Sequence, residues 1–266
     1  MATDLLTAID GPIATMTFNR PEARNSLSDD MVADLKRFLA RVEADPEIRC
    51  VVVKGAGDHF MAGGDVKSFA TMVQEMSGAE RRTLIEERIH QLHPVIFTMR
   101  RMPQPILASV QGAAAGFGLS FLLACDLAIA ADTAFFTLAY IHIGTSPDGS
   151  GTFFLPRTVG RKKALEIALF GERFDAATAT DLGIVNWVVP EAELAARTAK
   201  IAARIAAGPP RAIANTKRLL NASLDNPMET QLNLEAISFA DCAATDDWAE
   251  GVRAFAEKRP PEFKGA

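Results

Sequence analysis

Four histidines are the first residues to weigh for proton or metal chemistry: His59, His90, His93 and His142. His90 and His93 are spaced i, i+3 on a helical pattern. No Glu stands beside them as in HExxH, so no metal site is expected. Covalent catalysis by serine would need GxSxG after a strand, and Asp148-Gly149-Ser150-Gly151 lacks the first glycine. The GxxxxGKS or GxxxxGKT phosphate loop is absent too. Gly55-Ala56-Gly57 follows an apolar strand, but residue 60 is Phe where a dinucleotide fingerprint needs Gly. Two glycine-rich stretches remain, Gly55 to Asp65 and Gly112 to Gly118. Glycines serve tight turns and close packing. A pair of such stretches can also bare backbone N–H groups at helix N-termini, and two converging N–H donors hold an oxyanion or enolate.

The elements that must position these stretches follow from periodicity. Residues 5–10 and 13–18 alternate around Asp10-Gly11-Pro12 and predict two strands joined by a turn. Ser28-Asp29-Asp30 predicts a capped helix start, and Met31, Leu35, Phe38, Leu39 and Val42 make its apolar stripe. Strands are expected at 50–54, 106–110, 126–130, 134–137 and 184–189. Residues 66–101 read as two helical pieces that break near Ser77-Gly78. A further helix is expected at 118–124. After Gly144 the pattern is helical at 150–158, 161–169, 176–182, 190–207, 210–222, 228–243 and 246–258. Strand–helix alternation followed by helices predicts an α/β body with a helical C-terminal section. The expected division is 1–190 for the body and 191–266 for the helices.

Composition narrows the function classes. At 266 residues, with 48% hydrophobic and 23% charged, the chain can bury a sizeable core and is not disordered. Segment 119–124, its most apolar, is far short of the roughly 20 residues a membrane helix needs. Met1-Ala2-Thr3-Asp4-Leu5 shows no basic or apolar leader pattern. A net charge of −5 without a basic block argues against nucleic acid as a partner. Cys50, Cys125 and Cys242 are far apart and without CxxC, which suits reduced thiols in a cytoplasmic protein.

Longer motifs add a resemblance. Asn19-Arg20-Pro21-Glu22-Ala23-Arg24-Asn25-Ser26-Leu27 is followed by Val53 to Asp65 with its Ala62-Gly63-Gly64-Asp65 end. Then come Gln111 to Gly118, Cys125-Asp126, Leu155-Pro156-Arg157-Thr158-Val159-Gly160, Ala176 to Val189, and Phe255-Ala256-Glu257-Lys258-Arg259. In this order and spacing the chain resembles the crotonase (enoyl-CoA hydratase/isomerase) superfamily. The resemblance implies a spiral of ββα turns, a C-terminal helical trimerisation region, and trimers or dimers of trimers. It implies an acyl-CoA thioester as substrate, with coenzyme A part of that substrate and no separate cofactor. By position, Gly64 N–H and Phe117 N–H would hold the thioester oxygen. Ala62, Gly63, Asp65 and Gly116 would lie along the bound substrate, with Arg24 near the first helix and Phe255 and Lys258 from the tail near the CoA phosphates.

Departures from the pattern bear on the reaction. Hydratases of this superfamily carry one Glu in GxGxE and a second before the Ile-Gly turn. Here those places hold Ser120 and Tyr140, expected to line the substrate. Hydration must deprotonate water and protonate carbon, work that suits two carboxylates. Hydroxyls of high pKa replace them poorly. Asp148 stands shortly after the lost Glu, where members that shift double bonds carry an Asp. The ring-epoxide isomerase of phenylacetyl-CoA breakdown is the member most similar by this reading. One carboxylate suffices for a proton shift on one face. By local pattern alone Asp148 also fits an N-cap for helix 150–158. The expected activity is double-bond or ring-epoxide isomerisation with Asp148 as acid/base. The alternatives are hydration, an aryl-CoA dehalogenase-like hydrolysis using the helix of His90 and His93, and acyl-CoA binding without catalysis. Phe69, Met72, Met76, Phe97 and Phe117 are expected around an apolar acyl pocket.

Overall fold

β-branched and small residues carry the chain repeatedly into strands, of which those at 50–55, 106–110 and 127–131 are buried on both faces. The computed structural model describes residues 3–266, so Met1 and Ala2, the first residues weighed for a leader, lie outside it. In chain order the strands are β1 (Leu5–Asp10), β2 (Ile13–Phe18), β3 (Cys50–Gly55), β4 (Ile106–Val110), β5 (Ala113–Ala115), β6 (Leu127–Ala131), β7 (Phe135–Thr137), β8 (Phe174–Asp175) and β9 (Trp187–Val189). One sheet runs β1-β2-β3-β4-β6-β9; β1 and β2 pair antiparallel and every later pair is parallel. A second sheet runs β5-β7-β8.

The helices are α1 (Asp29–Glu43), α2 (Val66–Glu75), α3 (Gly78–Arg101), α4 (Phe117–Ala124), α5 (Gly151–Val159), α6 (Arg161–Phe170), α7 (Ala176–Asp181), α8 (Leu194–Ala206), α9 (Pro210–Ser223), α10 (Met228–Ala243) and α11 (Asp246–Glu257). Ser28 caps α1 by accepting from Met31 N–H at 3.1 Å, and the expected stripe of α1 is buried. The break between α2 and α3 is a capping box, in which Ser77 and Glu80 satisfy each other's backbone N–H.

Period-two alternation sorts β3 between two cores. Val51 and Val53 join α1, α3 and α4 on one face, while Cys50 and Val52 meet Leu194, Ala202 and Ala206 of α8 on the other. A buried hydrogen bond of 2.8 Å between Ser109 and Thr198 hydroxyls stitches α8 to β4. Although α8 lies beyond residue 190, it packs as part of the body. Farther along, Lys217 of α9 donates its ammonium to Met99 O (2.8 Å), Gln104 O (3.0 Å) and Asp126 Oδ2 (2.7 Å). Asp126 also accepts from Ile106 N–H at 2.8 Å, so α9 is pinned to the start of β4. α10 and α11 leave Leu232, Ile237, Phe239, Trp248 and Phe255 exposed. Among the described residues no helix is long and apolar enough to cross a membrane.

Candidate active site

Residues Asn19 to Leu27 form a clamp before they form any site. Asn25, fully buried with φ of 58°, accepts from Arg20 N–H and donates to Ala56 O (2.9 Å) and His59 O (2.7 Å). It therefore ties down two carbonyls of the first glycine-rich loop, while Gln111 holds Gly55 O and Gly57 O. Arg20 donates to Ser26 O at 2.8 Å and to Asp65 Oδ2 at 3.0 Å. Asp65 in turn caps α2 through Lys67 and Ser68 N–H. Its carboxyl is lifted by burial but lowered more by Arg20 and these N–H groups, and ends below its ordinary range. Ala62 N–H donates to Arg24 O and Leu27 N–H to Gly63 O, so clamp and loop are one unit. The Arg24 side chain is exposed and makes no ion pair among the described residues.

The two glycine-rich stretches lie side by side. Met61 N–H donates to Ala113 O at 3.0 Å and Ala115 N–H to Met61 O at 2.9 Å, a short parallel pairing. Backbones this close exclude side chains. A Cβ on Gly118 would stand 2.1 Å from Met61 O, and one on Gly63, at φ of 94°, would stand 3.1 Å from Ala115 O and 3.4 Å from Phe117 N. Phe117 is the first residue of α4, where an N–H has no intrahelical partner. Gly64 directly precedes the cap of α2. Neither N–H donates to any protein acceptor among the described residues. The ring of Phe69 covers Gly64, since a Cβ there would meet it at 2.9 Å. Met72 is buried beside it in chain order, whereas Phe97 is largely exposed next to His93.

Asp148 arrives on a tight loop between a 3-10 turn (Ala139–Ile143) and α5. Gly149 and Ser150 both have positive φ, 58° and 77°. A Cβ on Gly149 would strike the Phe117 ring at 2.4 Å, and one on Gly151 would lie 2.6 Å from Ser120 Oγ, so the loop rests on the first turns of α4. Tyr140 Oη donates to Asp148 Oδ1 at 2.5 Å and lies 3.2 Å from Ser120 Oγ. Burial raises the Asp148 carboxyl above its ordinary range, against the lowering effects of the Tyr140 hydrogen bond and of His93 on α3. Burial, and then the Asp148 charge, push the Tyr140 phenol upward. The N-cap reading of Asp148 fails: α5 starts at Gly151 behind Ser150, with no side-chain cap.

Gly63, Gly64, Gly116, Phe117, Ser120, Tyr140 and Asp148 thus share one neighbourhood, with Arg24, Ala62 and Asp65 tied to it through the clamp. Phe255 and Lys258 are not tied to it. Phe255 is 88% exposed and borders a shallow cavity with Trp248, Val252 and Phe263, and Lys258 is the left-handed end of α11. His59 accepts from Ala113 N–H, His142 bonds Gly171 O, and His90 and His93 stack at 5.4 Å. Among the described residues no three His, Cys, Asp or Glu side chains converge as a metal site would need. Arg20 and Asn25 hold the site together, yet sequence reading gave them no role. The signal available was an Asn among turn residues, a type that tolerates positive φ.

Comparison with known proteins extends this picture over the whole chain. A family model described as enoyl-CoA hydratase/isomerase matches residues 8–266. The "1,2-epoxyphenylacetyl-CoA isomerase" of Escherichia coli is 35% identical over 261 residues, covering 98% of each chain. A "probable enoyl-CoA hydratase" of Rhodobacter capsulatus is 38% identical over 253 residues, covering 95% of each. The crystal structure of an enoyl-CoA hydratase from a Polaromonas species superposes with a TM-score of 0.91 at 35% identity, over 98% of this chain and 99% of that one. The spiral α/β fold with its helical C-terminal region is therefore that of the crotonases. Relatives bearing hydratase names and isomerase names align from end to end, and this chain belongs to the enoyl-CoA hydratase/isomerase family.

Proposed function

We propose that the protein isomerises a double bond, or a ring epoxide, in an acyl-CoA thioester, with Asp148 as its acid/base. One observation carries this reading. Both places where hydratases of the family carry Glu hold hydroxyl side chains, and the carboxylate of Asp148 is hydrogen-bonded into that same cluster. For an unsaturated thioester the step balances with one group. Asp148 takes the α-proton, and the C–H electron pair moves into an enolate whose oxygen accepts from Gly64 and Phe117 N–H. The acid then returns the proton to the γ-carbon, and the double bond moves into conjugation. The free N–H groups and the raised basicity of Asp148 support both halves of this cycle.

Hydration is the second reading, favoured by the hydratase names among the relatives. Turnover of 3-hexenoyl-CoA and hydration of crotonyl-CoA, run on one preparation, separate the two. Isomerisation is expected to dominate, and Asp148→Asn to lower it by about 10²–10⁴-fold. Fast hydration by the wild type, or an Asp148→Asn enzyme as active as its parent, overturns the reading. Assembly into trimers or dimers of trimers is part of the same proposal. The apolar side chains left exposed on α10 and α11 support it, and light scattering at the mass of one chain at micromolar concentration would refute it.

A further inference from the structure

We propose that Tyr140 is a positioning residue for the acid/base: its hydroxyl engages Oδ1 of Asp148 and leaves Oδ2 as the oxygen that exchanges protons with substrate. The inference rests on the isomerase reading above and gives a task to a side chain standing where a hydratase would carry a carboxylate.

Proton bookkeeping fixes the direction of the chain of bonds. A phenol has one proton, and an ionised carboxylate can only accept. The 2.5 Å contact therefore uses the Tyr140 proton on Asp148 Oδ1. Ser120 Oγ, 3.2 Å from Tyr140 Oη, is then the donor to the phenol oxygen. Ser120 is fully buried, on α4, only three residues beyond Phe117. The 3-10 turn that carries Tyr140 is in turn held to the loop by Thr145 N–H donating to Tyr140 O at 3.2 Å. Two elements thus fix the phenol, and the phenol fixes one oxygen of a carboxylate whose loop has two left-handed residues after it. Without the phenol that carboxylate would be free to rotate about its side-chain torsions. A base that must remove a proton at one carbon and deliver it to another gains from one presented oxygen, since a small misplacement of reacting groups costs orders of magnitude. Tyr140 does not itself take the proton, because burial and the adjacent negative charge hold its phenol neutral.

Three groups face Asp148: Tyr140 from the 3-10 turn, His93 from α3, and Ser120 from α4 acting through the phenol. Their removal has separable effects. Tyr140→Phe keeps the ring and deletes the bond. A hydrogen bond to the ionised form favours that form, so its loss makes Asp148 easier to protonate and moves the acid limb of kcat to higher pH. The expected change is a roughly 10- to 100-fold lower kcat with KM within about threefold. A side chain that merely fills space would alter neither the acid limb nor the split between kcat and KM.

Tyr140 is the only tyrosine in the chain, which gives a readout independent of substrate. Protein grown with fluorotyrosine has a single tyrosine fluorine resonance. That resonance is expected to move with pH as Asp148 gains its proton, to stop moving in Asp148→Asn, and to keep a displaced transition in His93→Gln. A transition that survives Asp148→Asn, or a Tyr140→Phe enzyme with the kcat and acid limb of the wild type, overturns the proposal. If instead Asp148→Asn turns over substrate like its parent, the base assignment itself has failed, and the positioning role with it. That result differs from failure of the proposal alone, in which activity depends on Asp148 and is indifferent to Tyr140.

Discussion

The junction of the two glycine stretches and the Asp148 cluster lie against each other but are built from different materials. The junction is backbone: Met61, Ala113 and Ala115 exchange main-chain hydrogen bonds, and Gly63 and Gly118 are small because a carbonyl occupies the space a Cβ would need. The cluster is side chain: three hydroxyl and carboxyl groups from α4, a 3-10 turn and a loop. Size is the requirement in the first region and chemical identity in the second. A backbone site can serve any reaction that passes through an enolate, whereas the side chains around it select one. The relatives carry both hydratase and isomerase names while keeping this fold, which accords with that division.

Substitutions that respect the division should break the regions separately. Asp148→Asn, with its loss of about 10²–10⁴-fold in kcat, should leave CoA binding, measured by calorimetry, close to wild type. Gly63→Ala places a methyl 3.1 Å from Ala115 O at a φ that disfavours side chains, and so displaces the two donors. A fall of about 10²-fold in kcat is expected, the low end for losing an oxyanion donor, together with a lower Tm. Gly149→Ala probes the seam between the regions, because its methyl would strike the Phe117 ring. A loss of roughly tenfold, smaller than either direct lesion, is expected if the ring yields. Ser120→Ala should cost least, about three- to tenfold, because it removes a neutral hydrogen bond one step away from the carboxylate.

The raised carboxyl of Asp148 also sharpens the comparison through stability. Its folded-state pKa lies above the unfolded value. Its contribution to stability is therefore fully present below the unfolded pKa and is lost as pH rises through the folded one. At neutral pH the wild type bears the cost of a buried charge that Asp148→Asn lacks. The variant should therefore melt higher than wild type at pH 7, and this advantage should shrink as the pH falls toward 4. Equal Tm differences at both pH values would contradict the assignment of burial as the dominant influence.

The regular elements and the glycine junction were readable because their signals are local. Ser28 with the stripe from Met31 to Val42 marks α1, and Ser77 with Glu80 marks the break before α3. β5 was hidden: three alanines have no strand preference, and they are extended because β7 pairs with them. Trp187–Val189 is shorter than the strand expected over 184–189, because Ile184 and Val185 instead pack into the main core after α7. Glu191–Glu193 likewise form a short 3-10 turn after Pro190 rather than the first turn of α8. Glycine-rich stretches ahead of helices pointed to bared N–H groups but not to the clamp, since Asn25 finds Ala56 and His59 only after folding. Asp65 could be placed near the site from its motif, but its engagement with Arg20 is a long-range contact that periodicity does not reveal. The same holds for Ser120, Tyr140 and Asp148, whose types were legible and whose hydrogen-bonded order was not.

The ammonium of Lys217 reaches two carbonyls and a carboxylate, one for each of its three protons. Hydrogen exchange should register this. Opening α9 would strip three partners from a buried charge at once, so its amides should exchange only when β4 and β6 let go, as one cooperative unit. α11 is fastened to the sheet only at second hand: Arg49, beside β3, donates to Phe263 O and Lys264 O, and Lys264 and Gly265 N–H donate to Asp247 of α11, so its amides should exchange when that tail lets go. The C-terminal helices are thus tied down twice, by a charge inside α9 and by the chain's end folded back onto Arg49, and exchange should report two separate releases rather than one fraying from the terminus.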